Sequence, residues 1–336
     1  DGLPRIVIGA FEGGGEHTIA FDEEAYSLGM SAGYEFDTSV IRFNYSSMTR
    51  PTETWDYDMA SRKRSLLKVE EVPSGHDPKG YVTRRVLAPA RDGELVPVSL
   101  LYRKGLKLDG SAPLLLYGYG SYGIAMPAVF SGARLSLVDR GFVFAIAHVR
   151  GGRDKGERWY RDGKKAKKRN TFTDFIAAGE FLAREGFSSR GRIVAHGGSA
   201  GGMLMGAVAN MAPDLFLGII AEVPFVDVLA TMLDDSLPLT PIEWPEWGNP
   251  LKSATDFKRI LSYSPYDNVR AQSYPHILAL AGLTDPRVTY WEAAKWVARL
   301  RHAKTDDNLL LLRVNMGAGH RGASGRFDRL KEVALA

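Results

Sequence analysis

The stretch RIVAHGGSAGGMLMGAVANM, residues 192–211, passes from an apolar strand (RIVAH) into an apolar helix (AGGMLMGAVANM) through Gly197-Gly198-Ser199-Ala200-Gly201. A G-x-S-x-G between a strand and a helix is the sharp turn that exposes a serine at the top of an α/β-hydrolase sheet. The turn is tight enough to strain the serine backbone. Residues two before and two after must therefore lack side-chain bulk, which Gly197 and Gly201 satisfy. The helix N-terminus then directs its dipole and free N–H groups at an oxyanion. Ser199 is the candidate nucleophile.

The surrounding sequence supplies the sheet. From Pro113 onward, apolar strands alternate with helical patterns: PLLLYGYG (113–120), ARLSLVDRG (133–141), FVFAIAHVR (142–150), the helix FTDFIAAGEFLAREG (172–186), RIVAHGG, the helix from Ala200, FLGIIAEV (216–223), HILALAGL (276–283), the helix WEAAKWVARLRHA (291–303) and NLLLLRVN (308–315). Continuous apolar strands between helices indicate a mostly parallel sheet buried on both faces. A hairpin precedes it, YVTRRVLAP (81–89) and ELVPVSLLYRK (94–104), joined around Asp92-Gly93, a dipeptide suited to a φ > 0 turn. Before the linker at 75–80 the style differs: RIVIGAF (5–11), HTIAFDE (17–23), VIRFNYSS (40–47), ETWDYDM (53–59) and RSLLKVEEV (64–72) read as short strands between Gly- or Pro-containing turns. The expectation is an all-β segment over 1–74 followed by a doubly wound α/β-hydrolase domain over 75–336.

A serine hydroxyl needs a histidine base, and the base needs an acid to fix its tautomer. In this fold they follow in the order Ser, acid, His. Three of the seven histidines come after Ser199. His276 begins a strand and so lies at the wrong edge, and His302 lies on a helix. His320 sits in the loop Met316-Gly317-Ala318-Gly319-His320-Arg321-Gly322, just past the C-terminal end of a strand, where it can reach the serine. Asp285 ends the preceding strand in Ala281-Gly282-Leu283-Thr284-Asp285 and is the candidate acid. Asp267, Asp306 and Asp307 lie before strands and read as turn and helix-end residues.

Composition excludes several other chemistries. With 45% hydrophobic and 24% charged residues the chain can bury a core without staples, and with no cysteine it has neither disulfides nor thiolate metal sites. No metal or cofactor is expected. No apolar run approaches the ~18 residues of a membrane span. The start, Asp1-Gly2-Leu3-Pro4-Arg5, has neither an initiator Met nor a signal peptide, so the natural N-terminus is expected further upstream. The expected compartment is the cytoplasm, with the periplasm as the alternative. The net charge of +4 does not call for nucleic acid, and the basic run RDGKKAKKR (161–169), which lacks interleaved aromatics, reads as a solvated loop.

Three glycine motifs mislead. Gly118-Tyr119-Gly120-Ser121-Tyr122-Gly123 matches G-x-G-x-x-G after a strand, but Pro127 interrupts the helix a dinucleotide site needs and no acid ends a second strand about 20 residues on. Gly13-Gly14-Gly15 reads as a turn. His196-Gly197-Gly198 imitates an oxyanion motif of lipases, yet lies inside the elbow.

The stretches LLLYGYGSYG, LSLVDRGFVFAIAHVRGG, KKRNTF, GGSAGGMLMG, VPFVDVLATMLDDSLPLT, EWGNP, SYSPYDNV, YWEAAKWVARLR, KTDDNLLLL and SGRF span nearly the whole chain. In them the chain closely resembles the prolyl oligopeptidase family of serine peptidases and, within it, the oligopeptidase B branch. The resemblance implies that the Tyr119 hydroxyl shares an oxyanion hole with the backbone N–H of Ala200, and that Arg287 holds a substrate backbone carbonyl. It also implies that residues 1–74 are the last part of a β-propeller lid. One piece of this size cannot close ~4–8 blades, so the rest of the propeller is expected as a partner in a longer protein. Two departures are Arg153, giving GGRD where the family has GGGE, and Pro245 where many oligopeptidases B carry a second acid.

Charge suggests the substrate. Residues 193–251 hold no Lys or Arg, while Asp214, Glu222, Asp227, Asp234, Asp235, Glu243 and Glu246 supply seven acids around the nucleophile. Such a segment favours cationic substrates. Glu243 falls where the proline-specific branch carries the tryptophan that stacks on proline, and it is the expected partner of a substrate Arg or Lys, with Glu222 or Asp234 sharing the field. The leading expectation is an oligopeptidase cleaving after Arg or Lys. The alternatives are a prolyl-specific oligopeptidase or an esterase on the same fold, or a catalytically silent fragment.

Overall fold

The computed structural model describes residues 2–33 and 35–336, apart from the side chain of Arg326. Its N-terminal part is antiparallel throughout. A two-residue-deep ribbon, β1 (Val7–Ile8) with β2 (His17–Thr18), stands beside a four-stranded meander of β3 (Tyr26–Met30), β4 (Val40–Ser47), β5 (Glu53–Asp58) and β6 (Arg64–Val69). Ile6, Ile19, Phe43, Tyr45 and Tyr57 form its small core. The strand expected over 5–11 shrinks to two residues because the chain turns at Phe11, whose ring is exposed and buries nothing. The YSLGM strand of β3 was not anticipated; its register against β4 is what selects it, pairing Leu28 with Tyr45.

Eight strands build the large sheet: β7 (Tyr81–Pro89), β8 (Leu95–Arg103), β9 (Leu114–Tyr117), β10 (Val143–Ala147), β11 (Ile193–Gly198), β12 (Phe216–Glu222), β13 (His276–Gly282) and β14 (Leu310–Asn315). They lie in the order β14-β13-β12-β11-β9-β10-β8-β7. All neighbours from β10 to β14 run parallel, while β8 is antiparallel to both β7 and β10. This is the mostly parallel α/β-hydrolase sheet with its hairpin edge. The strand order reverses at β9, which lies between β10 and β11, and ligand sites of open α/β sheets form outside the strand ends at such a point.

Helices cover the sheet: α1 (Gly132–Val138), α2 (Glu157–Arg161), α3 (Arg169–Arg184), α4 (Ala200–Met211), α5 (Val228–Leu233), α6 (Thr240–Trp247), α7 (Ala254–Leu261), α8 (Tyr290–Ala303) and α9 (Arg326–Leu335). Every residue of α4 except Met211 is buried, which its all-round apolar sequence allows and a polar-faced helix would not. Met203, Leu204, Met205 and Val208 of α4 join Leu114 and Leu116 of β9 and Phe172 and Phe175 of α3 in one core. Ala25 and Met48 from the N-terminal part pack with Leu101, Phe144 and Ile146 of the large sheet, and the Phe130 N–H donates to Ser46 Oγ at 3.1 Å. The two parts thus share a buried seam. No helix among the described residues is long and apolar enough to cross a membrane.

Candidate active site

Ser199 stands between β11 and α4 at φ 59°, ψ −121°, a backbone conformation costly for any residue with a side chain. Its neighbours explain how the turn is held. A Cβ on Gly197 would meet Gly201 O at 2.5 Å and Gly118 O at 2.9 Å, and a Cβ on Gly201 would meet Gly118 O at 2.8 Å. The elbow is therefore pressed against the loop that leaves β9. Two backbone hydrogen bonds anchor it to the next strand connection, Ser199 N–H to Glu222 O at 2.8 Å and Phe225 N–H to Ser199 O at 3.1 Å. Ala200 is the first residue of α4, so its N–H has no acceptor within the helix.

The loop after β9 brings Tyr119 to the same place: Tyr119, Ser199 and Ala200 line one cavity of about 410 Å³. Burial pushes the Tyr119 phenol up to about 12, with the Ser199 hydroxyl beside it acting in the opposite direction. Tyr119 is a neutral O–H donor at physiological pH.

Asp285 and His320 meet at the ends of β13 and β14, with His320 Nδ1 and Asp285 Oδ2 2.7 Å apart. The second carboxylate oxygen of Asp285 accepts from Arg287 N–H at 2.8 Å and Val288 N–H at 3.0 Å. Burial alone would push this carboxyl up; the hydrogen bonds from His320 and from the two backbone N–H groups outweigh it and hold it below its usual value. The remaining ring nitrogen, Nε2, makes no hydrogen bond among the described residues. His320 makes no hydrogen bond to Ser199 here. It lines a neighbouring cavity of about 300 Å³ with Glu222, Arg313, Asn315 and Arg329.

Of the seven acids of residues 193–251, Glu243 alone among the described residues lines the cavity with Ser199. Its Oε2 accepts from Tyr122 Oη and Trp247 Nε1, both at 2.6 Å, which fixes the carboxylate at the cavity wall. Arg287, Pro286 and Thr289 form part of the same lining, and the Arg287 side chain is exposed. Glu222 lies elsewhere: its Oε1 is 3.3 Å from His196 Nε2, and that partner holds the carboxyl below its usual value. Asp227 pairs with Lys295, Glu246 accepts from Tyr122 N–H and Tyr160 Oη, and Asp234 accepts from Ser236. The acids do not form one field around the nucleophile, because most of them are engaged in holding the chain. Pro245 is exposed within α6.

The basic run is corrected in one respect. Most of 161–169 is exposed or half-buried, but Lys168 is fully buried, with Nζ donating to Gly120 O at 2.6 Å and to Ser121 Oγ at 2.9 Å. The buried position of Lys168 is not an expectation of the sequence, nor are the hydrogen bonds that join Glu246 to Tyr122 and Tyr160. The signal available was Lys168 lying immediately before the amphipathic α3. Arg153, in place of a third glycine, stands with its guanidinium 5.4 Å from the Tyr160 ring centroid and pairs with Glu157.

A second Ser-His-Asp arrangement exists and cannot act as a nucleophile. Ser99 Oγ lies 2.8 Å from His148 Nε2, and His148 Nδ1 lies 2.8 Å from Asp154 Oδ1. Ser99 is fully buried, and Arg85 Nη1 donates to its oxygen at 2.8 Å. Its burial keeps substrate from it, and the guanidinium takes one of the two lone pairs of its oxygen.

Fold and elbow together define a serine-dependent α/β hydrolase. The profile of the "Prolyl oligopeptidase family" matches residues 128–336, and that of the "Prolyl oligopeptidase, N-terminal beta-propeller domain" matches residues 1–70. The chain belongs to the prolyl oligopeptidase family, and the antiparallel meander is a segment of its propeller. It is 50% identical over 322 residues to dipeptidyl aminopeptidase BI of Pseudoxanthomonas mexicana, covering 96% of this chain and 44% of that one. It is 48% identical to protease 2 of Moraxella lacunata, covering 94% and 46%. Among solved structures it is similar to oligopeptidase B from Leishmania major, at a TM-score of 0.92 and 45% identity, covering 99% and 48%. It is equally similar to oligopeptidase B from Trypanosoma brucei with covalently bound antipain in a closed form, at 0.92 and 47%, covering 100% and 48%. The chain spans about half the length of the relatives it matches.

Proposed function

We propose that this chain carries the catalytic machinery of a serine oligopeptidase that cleaves peptides after Arg or Lys. The observation that carries the reading is one cavity holding the strained Ser199, the Tyr119 hydroxyl and the Glu243 carboxylate. A substrate cation paired with Glu243 places its own carbonyl carbon against Ser199, and Arg287, in the same lining, holds a backbone carbonyl further along the peptide. As Ser199 Oγ attacks, His320 Nε2 takes its proton, and Asp285 keeps the Nδ1–H tautomer and stabilises the imidazolium. The carbonyl oxygen, now negative, accepts from Tyr119 Oη and Ala200 N–H. His320 then protonates the leaving amine, and water repeats the sequence on the acyl-enzyme. His320 and Ser199, not hydrogen-bonded here, come within hydrogen-bond distance before the first step. Folded proteins and neutral esters are poorer substrates in this scheme.

Glu243→Gln keeps size and hydrogen bonding but removes the charge. A desolvated charge pair broken on one side loses about 2–5 kcal/mol, roughly 30- to several-thousand-fold in kcat/KM. With Pro245 in place of a second acid, the lower end is expected. The quantity to measure is the ratio of kcat/KM for Arg over Ala at the cleavage position. It should fall on substitution while the Ala substrate is nearly unchanged; an unchanged ratio removes Glu243 as the specificity residue. A wild-type preference for proline, or for removal of N-terminal dipeptides regardless of a basic residue, contradicts the substrate assignment.

A further inference from the structure

The chain contains a fully buried ammonium that the scheme above leaves unused. Lys168, between α2 and α3, is 1% exposed, and among the described residues its hydrogen-bond acceptors are a carbonyl and a hydroxyl rather than a carboxylate. Its Nζ is satisfied instead by Gly120 O at 2.6 Å and Ser121 Oγ at 2.9 Å, and it faces the Trp247 ring at 5.1 Å from the centroid. Burial pushes this ammonium down to about 7, with the charge of Glu246 acting against the shift. Burying a cation without a direct counter-ion is costly, so a merely structural position would be filled more cheaply by Met or Leu.

What the ammonium touches is informative. Gly120 and Ser121 directly follow Tyr119, whose other neighbour, Gly118, is fixed by its N–H to His196 O at 3.1 Å. One residue further, the Tyr122 N–H donates to Glu246 Oε1 at 2.9 Å and the Tyr122 hydroxyl to Glu243. Trp247, under the ammonium, donates to the same Glu243 oxygen. There is no slack around Gly120: its φ is 71°, and a Cβ there would meet Thr171 Cγ2 at 2.4 Å and Val149 Cγ2 at 2.7 Å. Lys168 thus lies between the loop carrying Tyr119, to which it is hydrogen-bonded, and the helix carrying Glu243, whose Trp247 ring it faces.

We propose that Lys168 is a positioning residue for the oxyanion hole, fixing the backbone of 120–121 so that the Tyr119 hydroxyl is aimed where negative charge develops. This rests on the reading of Tyr119 as an oxyanion donor. An interaction realised in the transition state governs kcat more than KM, and a displacement of about 1 Å can cost on the order of 10²-fold.

The test is a double-mutant cycle on the 336-residue chain with a basic peptide amide, the active fraction being fixed by titration of the serine. Tyr119→Phe alone should lower kcat about 10²–10³-fold, the usual loss for one oxyanion donor. Lys168→Met, which keeps the length and removes the N–H donors, should lower kcat about 10- to 100-fold with little change in KM. In the Tyr119→Phe background the same change should cost less than about threefold, because Lys168 then has no hydroxyl to aim. If Tyr119→Phe lowers kcat but Lys168→Met loses the same factor in both backgrounds, Lys168 acts as packing and the proposal fails alone. If Tyr119→Phe leaves kcat intact, the oxyanion reading fails first and takes this proposal with it. Should Lys168→Met not fold, Ser121→Ala removes one of the two acceptors with the lysine in place, and the same loss of additivity is required.

Discussion

The side of the site that carries Ser199 and Tyr119 and the side that carries His320 are held in different ways. The first is fixed by packing: Gly197, Gly201 and Gly118 touch backbone to backbone, α4 is buried on every face, and Lys168 ties down the Tyr119 loop from within the core. The second is packed at its root, where a Cβ on Gly282 would meet Ala318 O at 2.5 Å and Gly319 O at 2.7 Å, and further out it rests on a few hydrogen bonds. Thr284 N–H reaches Ala318 O at 3.2 Å, Gly317 N–H reaches Asn315 Oδ1 at 3.0 Å, and Asn315 and Ala323 lean on Glu332 of α9. Met316 is 66% exposed, and the apolar side chains of α9, Phe327, Leu330, Val333 and Leu335, face outward as well. Low density of buried contacts is what allows a segment to open locally without unfolding the rest. The lesson, on the proposed roles, is that the Ser199 and Tyr119 side is fixed throughout by the core, while the His320 side is packed at its root and exposed at its tip.

The largest effect expected from this division concerns activity. Ser199→Ala or His320→Ala should lower kcat on a basic peptide by a factor on the order of 10⁴ or more, and the double variant should lose little beyond either alone. Two residues that work as one unit show such non-additivity even when they start apart. Additive losses, or a His320→Ala variant that keeps most of its activity, break the pairing of the His320 side with the Ser199 side.

A smaller effect concerns stability and sharpens the contrast itself. Gly201→Ala drives a methyl into Gly118 O, a backbone atom that cannot step aside, and should cost about 1–3 kcal/mol in chemical denaturation. Gly317→Ala meets nothing nearer than Asn315 Oδ1 at 3.9 Å and should stay within about 1 kcal/mol of the parent, with either sign. Equal losses at the two positions would mean that the His320 loop is as tightly fitted as the elbow.

Much of this was legible in the sequence, for identifiable reasons. The turn at Ser199 could be read because the fold admits few residues around the serine, and the meeting of Asp285 with His320 because strand order leaves few places at that sheet edge. The α/β sheet followed from continuous apolar strands, and the resemblance to prolyl oligopeptidases supplied the propeller segment over the N-terminal strands. Long-range partnerships were not legible. Lys168 sits in a run of cations whose other members are solvated, and nothing local says that one of them turns inward to meet a loop 48 residues away. The acids of 193–251 looked like one field because sequence counts charges without their partners; Asp227 with Lys295 and Glu222 with His196 show how much of that charge is engaged elsewhere. The strand Tyr26–Met30 is specified by its neighbour across the meander rather than by its own pattern.

The central claim, that Ser199 is a nucleophile activated by His320, is tested most directly with a fluorophosphonate and peptide mapping of the adduct. The account predicts a single label on Ser199, abolished by Ser199→Ala and slowed at least about 10²-fold by His320→Ala, the contribution of a general base. Label on another residue, or an undiminished rate at Ser199 without His320, would contradict it.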